Sequence, residues 1–196
     1  LQAVGRRCPC VVRVPANDDV WIKKALDIGA AGVLVPMVNT AAIAAQIVRA
    51  CKYAPAGTRG MGLARAHRYG TGFQDYVARA NDCVAVIVQA EHIEAVEHIE
   101  AIVRVPGIDA VFVGPYDLSA SMGKQGEDSD PDLKDANGRV RDVTLDAGVR
   151  PEIYCSDAEA ARSFVQQGYT LIGMSTDINY LAKAAVDALA AARQKA

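Results

Sequence analysis

The chain has 196 residues, of which 51% are hydrophobic and 22% are charged, with a net charge of −2. This composition is typical of a globular protein, and we expect a single domain over residues 1–196. The slightly acidic balance excludes a basic nucleic-acid surface, and no apolar run reaches the roughly 18–20 residues that span a membrane. The five cysteines are odd in number and irregularly spaced, which predicts free thiols and a reducing, cytoplasmic location.

Short apolar runs alternate with longer amphipathic stretches along the chain. The runs predict strands at Cys10–Val14, Gly32–Val38, Cys83–Glu91, Gly107–Pro115, Val149–Tyr154 and Tyr169–Thr176. The stretches predict helices capped by Asn17 or Asp18 and by Asn39 or Thr40, and helices at Phe73–Asn81, His92–Val103, Asp132–Asp146, Asp157–Gln167 and Asp177–Ala192. A long glycine-rich connection, residues 54–72, precedes the third helix.

The strands are apolar throughout, as expected for a parallel sheet that helices cover on both faces. Repeated βα units predict an α/β fold, and the short connections favour a TIM (β/α)8 barrel. Six units are visible, whereas such a barrel closes with eight. We therefore expect that the first two units are absent and that the natural start lies upstream of Leu1.

Polar residues at the carboxyl ends of the strands are the candidates for chemistry, because active sites of such barrels lie at that end. Gln89 and Glu91 are two residues apart and point to the same side of one strand, and Asp117 follows the next strand. Arg13 ends the first strand, where a buried cation would need a partner. Carboxylates on adjacent strands, about 4.8 Å apart, can share a divalent ion. The alternative, which the spacing alone favours, is that Glu91 and Asp117 cap the helices that follow them.

The near-repeat of EHIEA after Gln89 carries further acids and two histidines. Glu94, Glu97 and Glu100 recur every three residues, which predicts the solvated face of a helix. His92 and His98 lie about 240° apart around that helix, so they do not share a metal-binding face. We interpret the repeat as an exposed helix and expect His67 to be a surface or loop residue.

Five stretches of the chain resemble one known family. The segments VVRVP, WIKKALDIGAAGVLVPMV, KYAPAGTRGMG, VIVQAE and GIDAVFVGPYDLSASMG resemble, in order and spacing, the HpcH/HpaI family of metal-dependent (class II) pyruvate aldolases. This resemblance implies that Glu91 and Asp117 bind the metal, with Mg²⁺ preferred over Mn²⁺ or Co²⁺. It further implies that Arg13 contacts the keto oxygen of pyruvate with Gln89 nearby, and that backbone N–H groups around Tyr116 and Asp117 hold the carboxylate.

The resemblance implies a carbon–carbon lyase that cleaves a 4-hydroxy-2-keto acid to pyruvate and an aldehyde through an enolate. Decarboxylation of oxaloacetate and macrophomate-synthase-like bond formation use the same enolate and stay open as alternatives. A homo-oligomer, a hexamer in much of the family, is also implied.

The chain departs from the pattern of this family at one point. Family members carry a His–Asp base in a GEH-like motif after an early strand, and none of His67, His92 and His98 matches it. An inactive fragment or structural remnant is therefore the alternative of another class.

Overall fold

The computed structural model describes residues 8–127 and 129–193. Six parallel strands form one sheet in sequential order. They are β1 (Val11–Arg13), β2 (Gly32–Val35), β3 (Ala85–Ala90), β4 (Ala110–Val113), β5 (Arg150–Cys155) and β6 (Leu171–Met174). Each lies inside or within one residue of its predicted run, so the predicted parallel α/β fold is confirmed.

Helices fill the crossovers between the strands. Within the described ranges they are α1 (Asp19–Asp27), α2 (Ala41–Cys51), α3 (Phe73–Cys83), α4 (Ile93–Glu97), α5 (Ile99–Val103), α6 (Pro115–Ser121), α7 (Pro131–Asp146), α8 (Ala158–Gln166) and α9 (Asp177–Arg193). The predicted helix His92–Val103 is thus two short helices, because the backbone at His98 leaves the helical region.

Side-chain caps start the crossover helices at the predicted places. The Asp18 carboxylate accepts hydrogen bonds from the N–H groups of Val20 and Trp21, and the Thr40 hydroxyl accepts one from Ile43. These caps satisfy N–H groups that have no partner inside the helix. They fix where each helix leaves the carboxyl end of its strand.

The sheet packs differently on its two faces. Val33, Val86, Val111 and Ile153 belong to the main core beneath the helices. The alternate residues form a small inner cluster of Leu34, Ile87 and Ala110, against which Phe112 packs. These residues lie on the inner side of the sheet, which is curled into a half barrel. Closure by eight strands stays a prediction, as does the single domain over residues 1–196.

The glycine-rich connection is more ordered than its composition suggests. His67, predicted to be a surface or loop residue, is only 2% exposed. Its Nδ1 accepts a hydrogen bond from the Gly70 N–H (3.1 Å), and its Nε2 lies 2.6 Å from the Gly62 carbonyl oxygen. His67 does lie in the connection, within a short 3-10 turn at Arg65–Gly70, but it is not a surface residue, because the imidazole bonds the backbone of its own turn and packs on Phe73.

Two further sequence predictions concern cysteines and membrane spans. All five cysteines are free thiols, as predicted. Across residues 8–127 and 129–193, no helix has the length and apolarity needed to cross a membrane.

Candidate active site

The predicted site residues gather at the carboxyl end of the sheet. Arg13 is the last residue of β1, Gln89 lies near the end of β3, and Glu91 follows that strand directly. Asp117 lies in the first turn of α6, which begins two residues after β4. Parallel strands deliver these ends to one edge, so residues far apart in sequence become neighbours.

A chain of hydrogen bonds links three of these side chains. The Arg13 Nε donates to Gln89 Oε1 (3.2 Å), and Gln89 Nε2 donates to Glu91 Oε2 (2.6 Å). The Met37 N–H donates to the other carboxylate oxygen, Glu91 Oε1 (2.8 Å). Gln89 and Glu91 are 5% and 3% exposed. A donor on each oxygen therefore holds the buried Glu91 carboxylate in one orientation.

Glu91 and Asp117 are electrostatically coupled. Burial raises the pKa of Glu91, and the nearby Asp117 carboxyl raises it further, while the Met37 N–H and the Arg13 charge act in the opposite direction. The structure thus brings together the two carboxyls that the sequence singled out. Because two ionised carboxylates repel each other, the pair favours a shared cation.

Two residues of the site were missed by sequence reasoning. A Cβ added at Gly114 would lie 3.0 Å from Gln89 Nε2 and 3.1 Å from Glu91 Cβ, so a side chain here would push against both site residues. Met37 has φ of 56°, a left-handed conformation that favours glycine, and its N–H holds Glu91. The VGP sequence before Tyr116 was a usable signal for Gly114, whereas nothing local marks Met37.

Comparison with known proteins identifies the family of this chain. Residues 1–184 match the family model described as HpcH/HpaI aldolase/citrate lyase. The chain belongs to this family.

The relatives within the HpcH/HpaI family cover most of the chain. A 4-hydroxy-2-oxovalerate aldolase of Rhodococcus jostii is 42% identical over 93% of this chain and 71% of its own length. A 4-hydroxy-2-oxo-heptane-1,7-dioate aldolase of Shigella sonnei is 42% identical over 92% of this chain and 69% of its own. The crystal structure of an HpcH/HpaI aldolase/citrate lyase family protein from Burkholderia cenocepacia superposes with a TM-score of 0.90 at 40% identity, covering 94% and 73% of the two chains.

The HpcH/HpaI family is divalent-metal-dependent in general, and the donor set of this chain fits such an ion. Among the described residues, no cluster of three or more His, Cys, Asp or Glu side chains has metal-binding geometry. The oxygen donors are the two coupled carboxyls of Glu91 and Asp117. Mg²⁺ and Mn²⁺ are commonly held by one or two carboxylates, with water and substrate oxygens completing the shell.

Exposure separates the predicted residues into two groups. Glu91 and Gln89 are buried, whereas Arg13, Tyr116 and Asp117 are exposed at the rim. Arg13 was considered as a buried cation that would need a partner; it is exposed, and the partner of its Nε is the Gln89 amide oxygen. Tyr116 is 57% exposed, and its hydroxyl accepts a hydrogen bond from Gln125 Nε2 (3.1 Å).

Proposed function

We propose that this chain is a metal-dependent lyase that cleaves a 4-hydroxy-2-keto acid to pyruvate and an aldehyde. The observation that carries the proposal is the hydrogen-bonded series Arg13–Gln89–Glu91 with the Asp117 carboxyl beside it. A carboxylate pair that can hold a divalent cation, together with the guanidinium of Arg13, supplies the positive charge that stabilises a developing enolate. Relatives that are 42% identical carry the name of 4-hydroxy-2-oxo acid aldolases, which supports the same reaction here.

Glu91 and Asp117 are the residues proposed to hold the divalent cation, with Mg²⁺ as the first candidate and Mn²⁺ or Co²⁺ as others. When bound, such an ion supplies a Lewis acid for the keto and carboxylate oxygens of the substrate. Glu91 is buried and held by two donors, so it is the fixed member of the pair. Asp117 lies on the exposed rim, where substrate and water enter.

Arg13 is proposed to bind the keto oxygen and to stabilise the negative charge that develops there. Its guanidinium has no carboxylate partner among the described residues, and only its Nε is used by Gln89, so its remaining N–H groups can face the substrate. Gln89 keeps Arg13 and Glu91 at a fixed separation by donating to one and accepting from the other. The backbone N–H groups around Tyr116 and Asp117 are proposed to hold the pyruvate carboxylate.

Three larger-scale features belong to the same proposal. The sheet is proposed to form most of a TIM (β/α)8 barrel, in line with the TM-score of 0.90 to a family structure. A homo-oligomer, with a hexamer as the first expectation, is supported by α9, which has no buried residue along Asp177–Arg193. The cytoplasmic location stays a prediction.

The test measures pyruvate release from 4-hydroxy-2-oxovalerate. We expect release with Mg²⁺, its loss on addition of EDTA, and its recovery with excess Mg²⁺. Asp117→Asn should abolish release, while Asp135→Asn, an exposed carboxylate of α7, should leave it unchanged. Oxaloacetate is assayed in parallel, since decarboxylation without aldol cleavage would replace this proposal with its decarboxylase alternative. Metal-independent release, or equal activity of the two variants, would refute the assignment of Asp117.

A further inference from the structure

Two short helices lie next to the two carboxyls that are proposed to hold the cation. Glu91 is followed by His92, the cap residue of α4, so the first turn of α4 continues directly from this carboxyl. Asp117 lies in the first turn of α6. The separation of the two carboxyls therefore depends on how the start of α4 is held against α6.

The Ser121 hydroxyl, at the end of α6, joins these two helices. Its Oγ accepts a hydrogen bond from the Ile93 N–H (3.0 Å) and donates one to the Leu118 carbonyl oxygen (2.7 Å). Ile93 is two residues after Glu91, and Leu118 directly follows Asp117. One half-buried hydroxyl thus bonds to the backbone within two residues of each proposed ligand.

The Ile93 N–H finds its acceptor outside its own helix. The first N–H groups of a helix have no intrahelical partner and must be satisfied in another way. In α4 the His92 Nδ1 accepts from the Glu94 N–H (3.2 Å), and the His92 carbonyl oxygen accepts from the Ala95 N–H (2.9 Å), so both are satisfied locally. The Ile93 N–H depends instead on Ser121. The start of α4 is therefore attached to α6 by a specific bond.

The other contacts near Glu91 leave the separation from Asp117 less well defined. The two donors on the Glu91 carboxylate come from its own strand and from the segment after β2. A backbone bond from the Gly114 N–H (3.3 Å) joins the ends of β3 and β4, three residues before Asp117. Among the described residues, Ser121 makes the one hydrogen bond between α4 and α6.

A divalent cation is sensitive to the spacing of the carboxylates that bind it. Mg²⁺ requires ligand oxygens at about 2.0–2.1 Å in near-octahedral geometry. Two ionised carboxylates repel each other before the ion binds, which favours a wider separation. A bond that holds α6 against the start of α4 opposes this separation, so the site needs less rearrangement when the ion binds.

We propose that Ser121 is a positioning residue whose hydroxyl sets the separation of Glu91 and Asp117 for a divalent cation. This inference rests on the proposed function and adds to it a residue outside the proposed ligand set. Loss of such an outer-shell contact typically lowers metal affinity by about 10–100-fold.

The test measures Mn²⁺ binding to the substrate-free chain through the electron paramagnetic resonance signal of the free ion. Ser121→Ala should raise the Kd for Mn²⁺ by about tenfold or more, because the Ile93 N–H loses its acceptor and α4 is no longer attached to α6. Ser121→Thr keeps a hydroxyl and should restore the Kd to within about threefold of the wild type. Urea unfolding without metal shows that each variant is folded.

Ser119→Ala is the matched control. Ser119 lies on the same helix, and its hydroxyl donates to the Tyr116 carbonyl oxygen (2.8 Å) as that of Ser121 donates to Leu118. A bond within one helix does not set the distance between two, so the Kd for Mn²⁺ should stay within about threefold of the wild type. Equal losses of affinity in Ser119→Ala and Ser121→Ala would trace the effect to α6 alone and overturn the inference.

Activity provides an independent readout. The Mg²⁺ concentration for half-maximal pyruvate release should rise about tenfold in Ser121→Ala, while kcat at saturating Mg²⁺ stays within about threefold. A wild-type chain that binds no Mn²⁺ refutes Glu91 and Asp117 as ligands, and with them the role of Ser121. If the wild type binds Mn²⁺ and Ser121→Ala binds it equally tightly, the role of Ser121 is refuted and the proposed function stands.

Discussion

Glu91 is the residue on which the candidate chemistry depends most. Glutamine keeps the shape of the side chain but replaces one carboxylate oxygen by an NH₂ group. This NH₂ group would face a donor, either the Met37 N–H or the Gln89 NH₂, and one hydrogen bond would be lost. If the Gln89 amide flipped instead, its NH₂ group would face the Arg13 Nε–H, and that hydrogen bond would be lost. Loss of outer-shell partners of a metal site costs about 10–100-fold in activity, and loss of a ligand should cost more than about 100-fold. We therefore expect Glu91→Gln to reduce pyruvate release by at least that factor.

The matched control for this prediction is Glu94→Gln. Glu94 is half-buried on α4 and accepts one hydrogen bond from Asn39 Nδ2. It should retain activity within about threefold and unfold at the same urea concentration as the wild type. A Glu91→Gln variant that keeps wild-type turnover would remove Glu91 from the site.

Glu152 is a second buried carboxyl, and it has no role in the proposed reaction. It lies on β5 between Phe112 and Leu171 of the neighbouring strands, is 8% exposed, and its Oε2 has no hydrogen-bond partner among the described residues. Burial raises the pKa of Glu152 from 4.5 to about 7. The folded state therefore favours the protonated form, whereas the unfolded chain ionises near pH 4.5.

This raised pKa makes stability depend on pH. The stability is fully present below about pH 4.5, falls as the pH rises towards 7, and stays low above it, with a total loss of about 3 kcal/mol. Glu152→Gln should be more stable than the wild type at pH 8 by up to this amount and differ far less at pH 5, measured by urea unfolding. Glu159→Gln, at the exposed start of α8, provides the comparison. A stability difference for Glu152→Gln that is equal at both pH values would show that the carboxyl is not titrating in this range.

At the scale of single residues, the sequence predicted part of the site. Alternation along β3 put Gln89 and Glu91 on one side, and the parallel sheet put Asp117 near them, as the structure has it. Met37 could not be predicted, because its left-handed φ depends on contacts that form only after folding. The partner of Arg13 was also beyond local patterns, since it lies 76 residues away.

At the scale of the elements, one buried cation, Arg59, holds the connection between α2 and α3 in place. Arg59 is 5% exposed, donates through Nη2 to Asp27 Oδ1 (2.9 Å) and through Nη1 to the Tyr76 hydroxyl (3.2 Å), and lies 4.5 Å from the centre of the Tyr53 ring. These contacts attach the connection to the end of α1 and to α3. The guanidinium thus links α1, α3 and the connection between α2 and α3.

Removal of this cation should destabilise the fold. We expect Arg59→Met to lower the free energy of unfolding by about 3 kcal/mol, because it leaves the partly buried Asp27 with Lys23 as its one remaining ionic partner among the described residues. Arg139→Met, which breaks the half-exposed pair with Glu100, should cost less than about 1 kcal/mol. Urea unfolding of both variants tests this, and equal losses would mean that Arg59 acts as a surface residue.

Element boundaries were predicted well where the signals are local. Asp18 and Thr40 start their helices as expected, because the capping hydrogen bonds involve residues within one turn. The break at His98 and the turn around His67 were not predicted. Both depend on contacts with distant backbone or with an adjoining ring, namely the Asn39 carbonyl and Phe73.

For the whole molecule, α9 is the feature that the chain alone does not explain. All of its residues are exposed, including Ile178, Leu181, Val186 and Leu189 at 50–73%. Ile178, Leu181 and Leu189 fall on one face of the helix. Most of the stability of a helix in a protein comes from the packing of its apolar face, and α9 has no buried residue along Asp177–Arg193. If this face packs against another copy of the chain, each fully buried leucine would stabilise the contact by about 1.5–3 kcal/mol.

We therefore expect the wild-type chain to form an oligomer, with a mass several times 20.7 kDa by light scattering. The double variant Leu181→Glu, Leu189→Glu should shift it towards the monomer, because two charges would have to be buried in the contact. The control, Ala190→Glu with Ala191→Glu, adds the same charge on the side of α9 that faces away from Ile178, Leu181 and Leu189 and should keep the wild-type mass. If both double variants dissociate, net charge and not the apolar face governs association. If the wild type has the mass of one chain at all concentrations, α9 does not act as a contact between copies.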